Sequence, residues 1–382
     1  MGEDCKIYAI LRSNMGKIKI GKVLKKSISS NTKYFVGIDV GGTSIKFGIF
    51  KGSNKLLVDK FSIDTIIVKK DNEKHLINGI FEAIENYCNN NKYGVTKKNI
   101  IGMGFAMPGP AVGNQLLRAV NINWKNKYDI VKATKKRFGS EVNVTVLNDA
   151  NAATLGEYNK TLKGKCHSMC LITLGTAVGT GIIIDEKLIE GKTGIAGELC
   201  HIKLDYSDDA FECTCGNRGC SETLAGSKGL INLYKRLLSK NDSMYGDSVE
   251  DGEAVGVKLK GHRKSELREP VGAEKINAKN GRLEDIITAK YIIDGAKAGD
   301  KLAYKALDMS LGYVSDLIAI LMHVFEPEIV LIGGGISNAG TFIINMIKKH
   351  LKERVFMTKT LPKIMIAKLK NDAGIYGAVA KL

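Results

Sequence analysis

One imidazole and three thiols stand close together in the chain, with the spacing of a metal site. They are the side chains of His201, Cys213, Cys215 and Cys220. A Cys3His set is typical of structural zinc, and Gly216 and Gly219 let so short a loop fold tightly. Because four protein ligands leave no open position for a reactive water, the spacing predicts a zinc ion that only holds a loop in place. The carboxylates of Glu198 and Glu222 flank this loop closely, which indicates that the loop holds them in position.

Three glycine-rich turns form the second group of chemical candidates. They are Asp39-x-Gly41-Gly42-Thr43, Gly175-Thr176-x-x-Gly179 and Gly333-Gly334-Gly335. Such turns can bring bare backbone N–H groups and threonine hydroxyls up to phosphate oxygens. None matches the Walker A pattern or the dinucleotide fingerprint, and a single glycine-rich hairpin is often only a hairpin. Three of them together favour nucleotide binding, with Asp39 holding Mg²⁺ through water.

Asn148 and Asp149 stand where a short β-branched strand, Val142–Leu147, passes into a helix. One interpretation is a helix N-cap, a position that Asn and Asp fill readily. The other is a carboxylate exposed in a cleft, suited to phosphoryl transfer, which needs mainly a positioned hydroxyl and a late proton acceptor. With an ordinary pKa of about 3.9, Asp149 is expected to be ionised near neutral pH and to be a weak base.

The predicted elements place these residues at the ends of strands. Strands are predicted at Tyr34–Ile38, Ser44–Phe50, Ile100–Ala106, Val142–Leu147, Met169–Leu174, Ile182–Ile184 and Ile329–Ile332. Helices are predicted at His75–Cys88, Thr288–Ala298, Lys301–Phe325, 341–352 and from Asn371 onwards. The strand, glycine turn, strand plan of residues 34–50 recurs at 169–184, which indicates an internal duplication. The polar residues 238–284 are interpreted as a surface insertion and the basic residues 1–33 as an extension.

Composition excludes several classes of protein. The chain has 382 residues, enough for two domains, and no apolar run near the roughly 20 residues of a membrane span. The net charge is +17, but the lysines are dispersed, many of them beside asparagines, and aromatic residues do not alternate with them. Nucleic acid and membrane are therefore not expected as partners. Free thiols, a metal site and the lack of a signal peptide predict a cytoplasmic protein.

Together these motifs resemble the ROK family of sugar kinases and sugar-responsive repressors. The resemblance is carried by Gly37–Thr43, Asn148–Glu157 and Gly194–Glu222 and extends over residues 34–382 apart from the insertion. It implies an α/β protein of the actin-like ATPase, ribonuclease H-like fold, with two α/β domains around a cleft. Residues 34–150, joined by a C-terminal helix at 371–382, would form the small domain. Residues 151–370, with the zinc loop 201–220, would form the large one.

The resemblance also implies roles for the site residues. Asp149 would be the general base for a sugar hydroxyl, and His201 would use one ring nitrogen for zinc and the other for the sugar. The further sugar-binding residues would be Gly109, Asn121, Asn148, Glu198 and Glu222. The cofactor ATP, with Mg²⁺, would be bound by Asp39, Gly41, Gly42, Thr43, Gly175, Thr176, Gly333, Gly334 and Gly335. A homo-oligomer, either a dimer or a tetramer, is expected.

Some positions depart from the family pattern, and two functions fit the resemblance. Cys200, Ala177 and Thr180 stand where glycines are usual. The expected activity is ATP-dependent phosphorylation of the 6-hydroxyl of an aldohexose, first of all glucose, with mannose, fructose or an N-acetylhexosamine as alternatives. The other function is a sugar-sensing transcriptional regulator, which would carry a helix-turn-helix before the first phosphate loop. Only 33 residues precede Tyr34, without a clear pair of amphipathic helices, so the kinase is favoured.

Overall fold

The computed structural model describes residues 32–90, 92–242, 287–356, 358 and 360–382. The strands are β1 Tyr34–Val40, β2 Ser44–Lys51, β3 Leu56–Asp64, β4 Ile100–Met107, β5 Ala111–Val112, β6 Gln115–Leu116, β7 Asn143–Asn148, β8 Met169–Leu174, β9 Val178–Ile184, β10 Lys187–Leu188, β11 Ile329–Gly333 and β12 Lys363–Ile366. The α-helices are α1 Asn72–Asn89, α2 Ile130–Phe138, α3 Asp149–Glu157, α4 Gly226–Asp242, α5 Ala289–Lys297, α6 Lys301–Phe325, α7 Thr341–Arg354 and α8 Ala373–Ala378.

Two five-stranded sheets share one strand plan. The first has the order β3-β2-β1-β4-β7 and the second the order β10-β9-β8-β11-β12. Each begins with an antiparallel hairpin, β1–β2 or β8–β9. Two later strands then run parallel to the first strand of that hairpin. This shared plan supports the internal duplication that the two glycine hairpins indicate.

Alternate residues of β1 face different layers, as the period of two of a strand requires. Val36 and Ile38 belong to the core that includes α1, while Phe35 packs with Ile375 of α8. A Cβ atom at Gly37 would overlap the carbonyl oxygen of Ile375, so only glycine lets α8 approach this closely. The C-terminal helix therefore covers the face of the first sheet that α1 leaves open.

Helices α3 and α8 cross so closely that their backbones are in contact. A Cβ atom at Gly377 would overlap the carbonyl oxygen of Ala152, and one at Gly156 would overlap that of Ala373. The apolar cluster around this crossing contains residues of β7, β8 and β11, and so of both sheets. The crossing joins the two sheets and fixes the direction in which α3 leaves β7.

The second sheet packs against the long helix α6. Among the described residues, α6 is the one helix long and apolar enough to cross a membrane, with a mean hydropathy of 1.4 in its most apolar window. Of that window 61% is buried in the protein, by the second sheet and by α4, α5 and α7. Such burial is typical of a core helix.

The predicted insertion 238–284 is wrong at its start, because α4 continues to Asp242. Leu237 and Leu238 pack against the same core as Leu230 and Tyr234, which lie earlier on the helix. A helical face that buries leucines is part of the large core and not of a polar surface segment. The rest of that segment, from residue 243, and residues 1–31 of the predicted extension lie outside the described residues.

Strand β3 and helix α2 are not among the predicted elements. Strand β3 lies at the edge of the first sheet, so none of its residues is fully buried and its apolar pattern is weak. Helix α2 has nine residues, and Ile130, Thr134 and Phe138 are the buried ones. Short or exposed elements leave little hydrophobic periodicity to detect.

Candidate active site

The strand arrangement of the first sheet brings three predicted site residues to one edge. Strand β4 runs parallel to β1 on one side and to β7 on the other. The carboxyl ends of parallel strands lie at the same edge of a sheet. Asp39 near the end of β1, Gly109 just after β4 and Asp149 just after β7 therefore meet at this edge.

Asn148 is the N-cap of α3, and it also contacts the loop after β4. Its Oδ1 accepts a hydrogen bond from the backbone N–H of Asn151 over 3.0 Å, which makes it the N-cap of α3. Its Nδ2 donates to the carbonyl oxygen of Gly109 over 3.2 Å. A Cβ atom at Gly109 would overlap the carbonyl oxygen of Arg118, so the loop after β4 needs glycine here. The cap and the predicted sugar-binding glycine are thus in direct contact.

Asp149 is the first residue of α3, and its carboxylate is half-buried. Its Oδ1 accepts a hydrogen bond from the backbone N–H of Ala150 over 2.8 Å. Burial and then the negative charge of Asp39 raise the pKa of Asp149 to about 7, and the charge of Glu198 adds to the rise. The expectation of a weak base is therefore wrong for this chain, because the ordinary pKa describes an exposed carboxyl without like charges nearby.

Asp39 lies directly before the first glycine turn. Its Oδ2 is 3.6 Å from Nζ of Lys46, which lies opposite it on β2. Burial raises the pKa of Asp39, and the charge of Lys46 opposes that rise. A Cβ atom at Gly374 would lie 2.6 Å from Cγ of Asp39, so the carboxylate packs over the start of α8. Gly42 and Thr43 are exposed at the tip of the turn.

The first glycine turn also meets the loop that carries Asn121. The hydroxyl of Thr65 donates to the carbonyl oxygen of Gly41 over 2.7 Å and fixes the turn from one side. A Cβ atom at Gly42 would lie 3.6 Å from the carbonyl oxygen of Asn121. The structure thus places the predicted phosphate turn beside the predicted sugar-binding asparagine, which is exposed.

A cavity of about 700 Å³ adjoins the second glycine turn. It lies between the start of α4, helix α5 and the turn after β11. The residues that line it include Thr176, Ser227, Lys228, Ile231, Thr288, Ile293, Asp294, Lys297, Gly335, Ile336 and Asn338. Apolar walls with a few polar and cationic groups are typical of small-molecule sites.

The three predicted glycines after β11 have different surroundings. Gly333 is buried as the last residue of β11. Gly334 has a φ of 79°, and a Cβ atom there would lie 2.5 Å from the backbone of Leu174. Of the three, Gly335 is the one that lines the cavity. Gly333 and Gly334 shape the turn that brings Gly335 there.

The N-terminus of α4 is part of this site, but it is not among the residues predicted from the sequence. The backbone N–H groups of Ser227 and Lys228 donate to the carbonyl oxygens of Gly175 and Thr176, over 2.8 and 3.2 Å. Because these two N–H groups are occupied, the helix offers an anion in the cavity its dipole and the side chains of Ser227 and Lys228. The available signal was the Gly-Ser pair that begins an apolar helical pattern.

The four predicted metal ligands come together, with all ligand atoms within 4.8 Å of one another. Sγ of Cys213 is 3.6 Å from Nδ1 of His201, and the sulfurs of Cys215 and Cys220 are 3.7 Å apart. The edges of a tetrahedron with Zn–S bonds of about 2.3 Å measure about 3.8 Å. The donor set and its spacing therefore fit zinc. Because Nδ1 of His201 faces the sulfurs, Nε2 is left for another partner.

The carboxylates on both sides of this cluster are held by neighbouring side chains. Oε1 of Glu222 lies 2.9 Å from Sγ of Cys213 and 3.0 Å from the hydroxyl of Thr214. The buried thiol of Cys200 donates to Oε2 of Glu198 over 3.3 Å. The cysteine that departs from the family pattern is thus a partner of a predicted sugar-binding residue.

Comparison with known proteins shows the family of this chain. Residues 35–381 match the ROK family. The chain is 31% identical to a glucokinase of Halalkalibacterium halodurans over 353 residues, which cover 90% of this chain and 93% of the relative. It is 27% identical to a xylose repressor of Caldicellulosiruptor bescii over 375 residues, which cover 97% and 84% of the two chains.

A solved structure extends the likeness to the fold. It is that of a ROK family glucokinase from Streptomyces griseus in complex with glucose and AMPPNP, with a TM-score of 0.65 and 25% identity. The match covers 90% of this chain and 97% of that one. The actin-like ATPase fold expected from the sequence is confirmed. By its sequence and by its fold, this chain belongs to the ROK family.

Proposed function

We propose that this chain is an ATP-dependent sugar kinase that phosphorylates the 6-hydroxyl of an aldohexose, with glucose as the first candidate substrate. The observation that carries the proposal is the position of Asp149. A carboxylate with a pKa raised to about 7 stands at the same sheet edge as the phosphate turn that Asp39 begins. A base of this pKa is well matched to proton transfer near neutral pH.

In the proposed reaction, Asp149 accepts the proton of the sugar 6-hydroxyl as the oxygen attacks the γ-phosphorus of ATP. A bond forms between the sugar oxygen and phosphorus, the bond to the β–γ bridging oxygen breaks, and ADP leaves. Because the transition state of phosphoryl transfer is loose, most of the catalysis comes from positioning and charge stabilisation. Asn148 and Gly109, which contact each other, would fix the position of the sugar beside Asp149.

The nucleotide is assigned to the cavity at the second sheet. Thr176, Gly335 and the ammonium group of Lys228 would bind phosphate oxygens, and the apolar wall of the cavity would accept the base. The exposed turn at Gly41, Gly42 and Thr43 would meet the terminal phosphate from the other side. Asp39 is the ligand type that Mg²⁺ prefers, through water, and the ion would supply positive charge to the phosphates.

The sugar is assigned to the carboxylates and imidazole beside the metal cluster. Glu198 and Glu222 can accept hydrogen bonds from vicinal hydroxyls, and Nε2 of His201 faces away from the sulfurs. A bound zinc would hold this loop, and with it the three side chains, in place. A site built to bind hydroxyls rejects analogues that lack them, because its polar groups are then left unpaired.

We also infer that residues 34–150, with the C-terminal helix at 371–382, form one domain and residues 151–370 the other. The packing of α8 on β1 supports the assignment of the C-terminal helix to the first of these domains. The two domains would close over the cleft when both substrates bind. A homo-oligomer in the cytoplasm remains our proposal for the state of the protein.

A sugar-responsive transcriptional regulator is the second candidate, and the similarity to a xylose repressor favours it. Both candidates need the sugar pocket, but only the kinase needs Asp149 as a base. A panel of hexoses and N-acetylhexosamines with coupled detection of ADP decides between them and identifies the substrate. Sugar-dependent binding to sugar-operon DNA without formation of ADP would refute the kinase.

A further inference from the structure

Helix α1 begins with two buried polar side chains that face the loop of Asn121. Asn72 is 3% and Glu73 is 5% exposed. Oε1 of Glu73 accepts hydrogen bonds from the backbone N–H groups of Lys125 and Asn126, both over 2.7 Å. Nδ2 of Asn126 adds a longer contact of 3.4 Å to the same oxygen. The carboxylate thus binds one end of the loop through two main-chain donors.

Asn72 binds the middle of the same loop. Its Nδ2 donates to the carbonyl oxygen of Ile122 over 2.7 Å and lies 3.4 Å from that of Asn123. Its Oδ1 accepts from the backbone N–H of Val68 over 2.9 Å, and Nδ2 of Asn123 donates back to the carbonyl oxygen of Val68 over 3.3 Å. The side chain therefore connects the loop to the segment before α1.

The loop itself is closed and anchored in the core. Ala119 and Trp124 exchange backbone hydrogen bonds of 3.1 and 2.8 Å. Ile122 and Trp124 are completely buried. Asn121, which directly precedes Ile122, is exposed. The carbonyl oxygen of Asn121 faces Gly42 of the first phosphate turn. These hydrogen bonds and buried side chains together hold Asn121 next to that turn.

Burial of a carboxylate costs free energy because the charged group loses its hydration, a loss that an apolar residue would avoid. Within the part of the chain that the structure describes, no cation forms an ion pair with Glu73. Burial acts to raise the pKa of Glu73, but the hydrogen bonds from Asn126 and Lys125 lower it below its ordinary value. The main-chain donors of the loop therefore stabilise the charged form of Glu73, and the carboxylate in turn fixes the position of the loop.

We propose that Glu73, supported by Asn72, is a positioning residue for the sugar: it holds the Asn121 loop at the distance from the first phosphate turn that sugar binding requires. The inference rests on the proposed kinase function and on the assignment of Asn121 to the sugar. Glu73 itself does not touch the substrate. Its removal should act on the sugar through Asn121 and leave the nucleotide cavity unchanged, because that cavity lies at the second sheet.

The test compares Glu73→Ala, Glu73→Gln, Asn121→Ala and the Glu73→Ala/Asn121→Ala double variant. Glu73→Ala leaves the two main-chain donors of the loop without their acceptor and so releases the loop, which should raise KM for the hexose about tenfold with little change in KM for ATP. Glu73→Gln keeps an acceptor and should restore most of the affinity. In the Asn121→Ala background, Glu73→Ala should raise KM for the hexose little further, because both changes remove the same contact between Asn121 and the sugar.

Glu85→Ala is the matched control, since Glu85 lies on the same helix and binds Lys97 and Arg137 far from the loop. It should lower Tm without moving KM for the hexose. If Glu73→Ala does not fold, Asn72→Ala removes the bonds to the loop from its other side and should give the same split between the two KM values.

Four outcomes would overturn the inference. An active enzyme in which Glu73→Ala leaves KM for the hexose unchanged would overturn it alone, as would equal rises of both KM values. Full additivity with Asn121→Ala would show that Glu73 acts elsewhere. Failure of the native protein to phosphorylate any hexose would overturn the proposed function, and this inference with it.

Discussion

Asp39 and Asp149 act on each other at one edge of the first sheet, although they lie far apart in the sequence. Burial and the charge of Asp39 raise the pKa of Asp149 to about 7. Lys46 offsets part of the charge of Asp39 at 3.6 Å. In the proposed kinase, Asp149 would be the base on the sugar side of the cleft and Asp39 the cation-binding carboxylate on the phosphate side.

Replacement of the base should stop chemistry without loss of the fold. We expect Asp149→Asn to lower kcat by about 100- to 10,000-fold, the usual contribution of a general base, while sugar binding persists. Asp129→Asn is the control, because Asp129 also stands at the start of a helix but caps α2 far from the cleft. If Asp149→Asn has a kcat close to that of the native enzyme, Asp149 is not the general base.

The pH dependence of activity should report the raised pKa. Because Asp149 must be deprotonated to accept a proton, kcat/KM for the hexose should fall about tenfold per pH unit below a midpoint set by a pKa of about 7. A profile measured at constant ionic strength gives the midpoint. A midpoint near the ordinary pKa of an aspartate would mean that Asp39 and burial do not act on Asp149 as described.

The same shift predicts how stability changes with pH. The folded protein holds the proton of Asp149 more tightly than the unfolded chain, so this group destabilises the fold as pH rises from about 4 to about 7. Asp149→Asn should therefore raise Tm at pH 8 relative to the native protein and give no such gain at pH 4. Thermal unfolding at the two pH values measures the difference, and an equal change of Tm at both would contradict it.

The metal cluster should be coupled to the sugar and not to the nucleotide. We expect about one zinc per chain. Cys215→Ala should raise KM for the hexose far more than KM for ATP, because Glu198, His201 and Glu222 lose their support together. Cys88→Ala, a buried cysteine of α1 outside the cluster, is the control. Equal rises of both KM values, or full activity in zinc-free protein, would show that zinc does not organise the sugar pocket.

Two glycine-to-alanine changes should have opposite effects on stability. Gly377→Ala places a methyl group on the backbone of Ala152 at the crossing of α3 and α8, and such overpacking costs about 1 to 3 kcal/mol. Gly79 lies inside α1 with open space around its Cα, so Gly79→Ala should stabilise the helix by about 1 kcal/mol. Unfolding in denaturant measures both. A neutral Gly377→Ala would mean that the two helices can separate without cost.

Local sequence was enough to predict the family and most of the regular structure. Cysteine spacing predicted four side chains that the structure brings together, because they lie within 20 residues of one another. Helix α6 and strand β8 were predicted with their observed bounds, since long apolar periodicity and a bounded apolar run are strong local signals. Exposed or short elements such as β3 and α2 left no such signal.

Tertiary structure alone decided the properties that depend on distant neighbours. The pKa of Asp149 depends on burial and on Asp39, neither of which its own segment reveals. The role of Glu73 depends on a loop some fifty residues away, and the cavity depends on how α4, α5 and the turn after β11 meet. Residue types and short spacings can be read directly from the sequence. Electrostatic and packing effects act through space, so they arise only once the chain has folded.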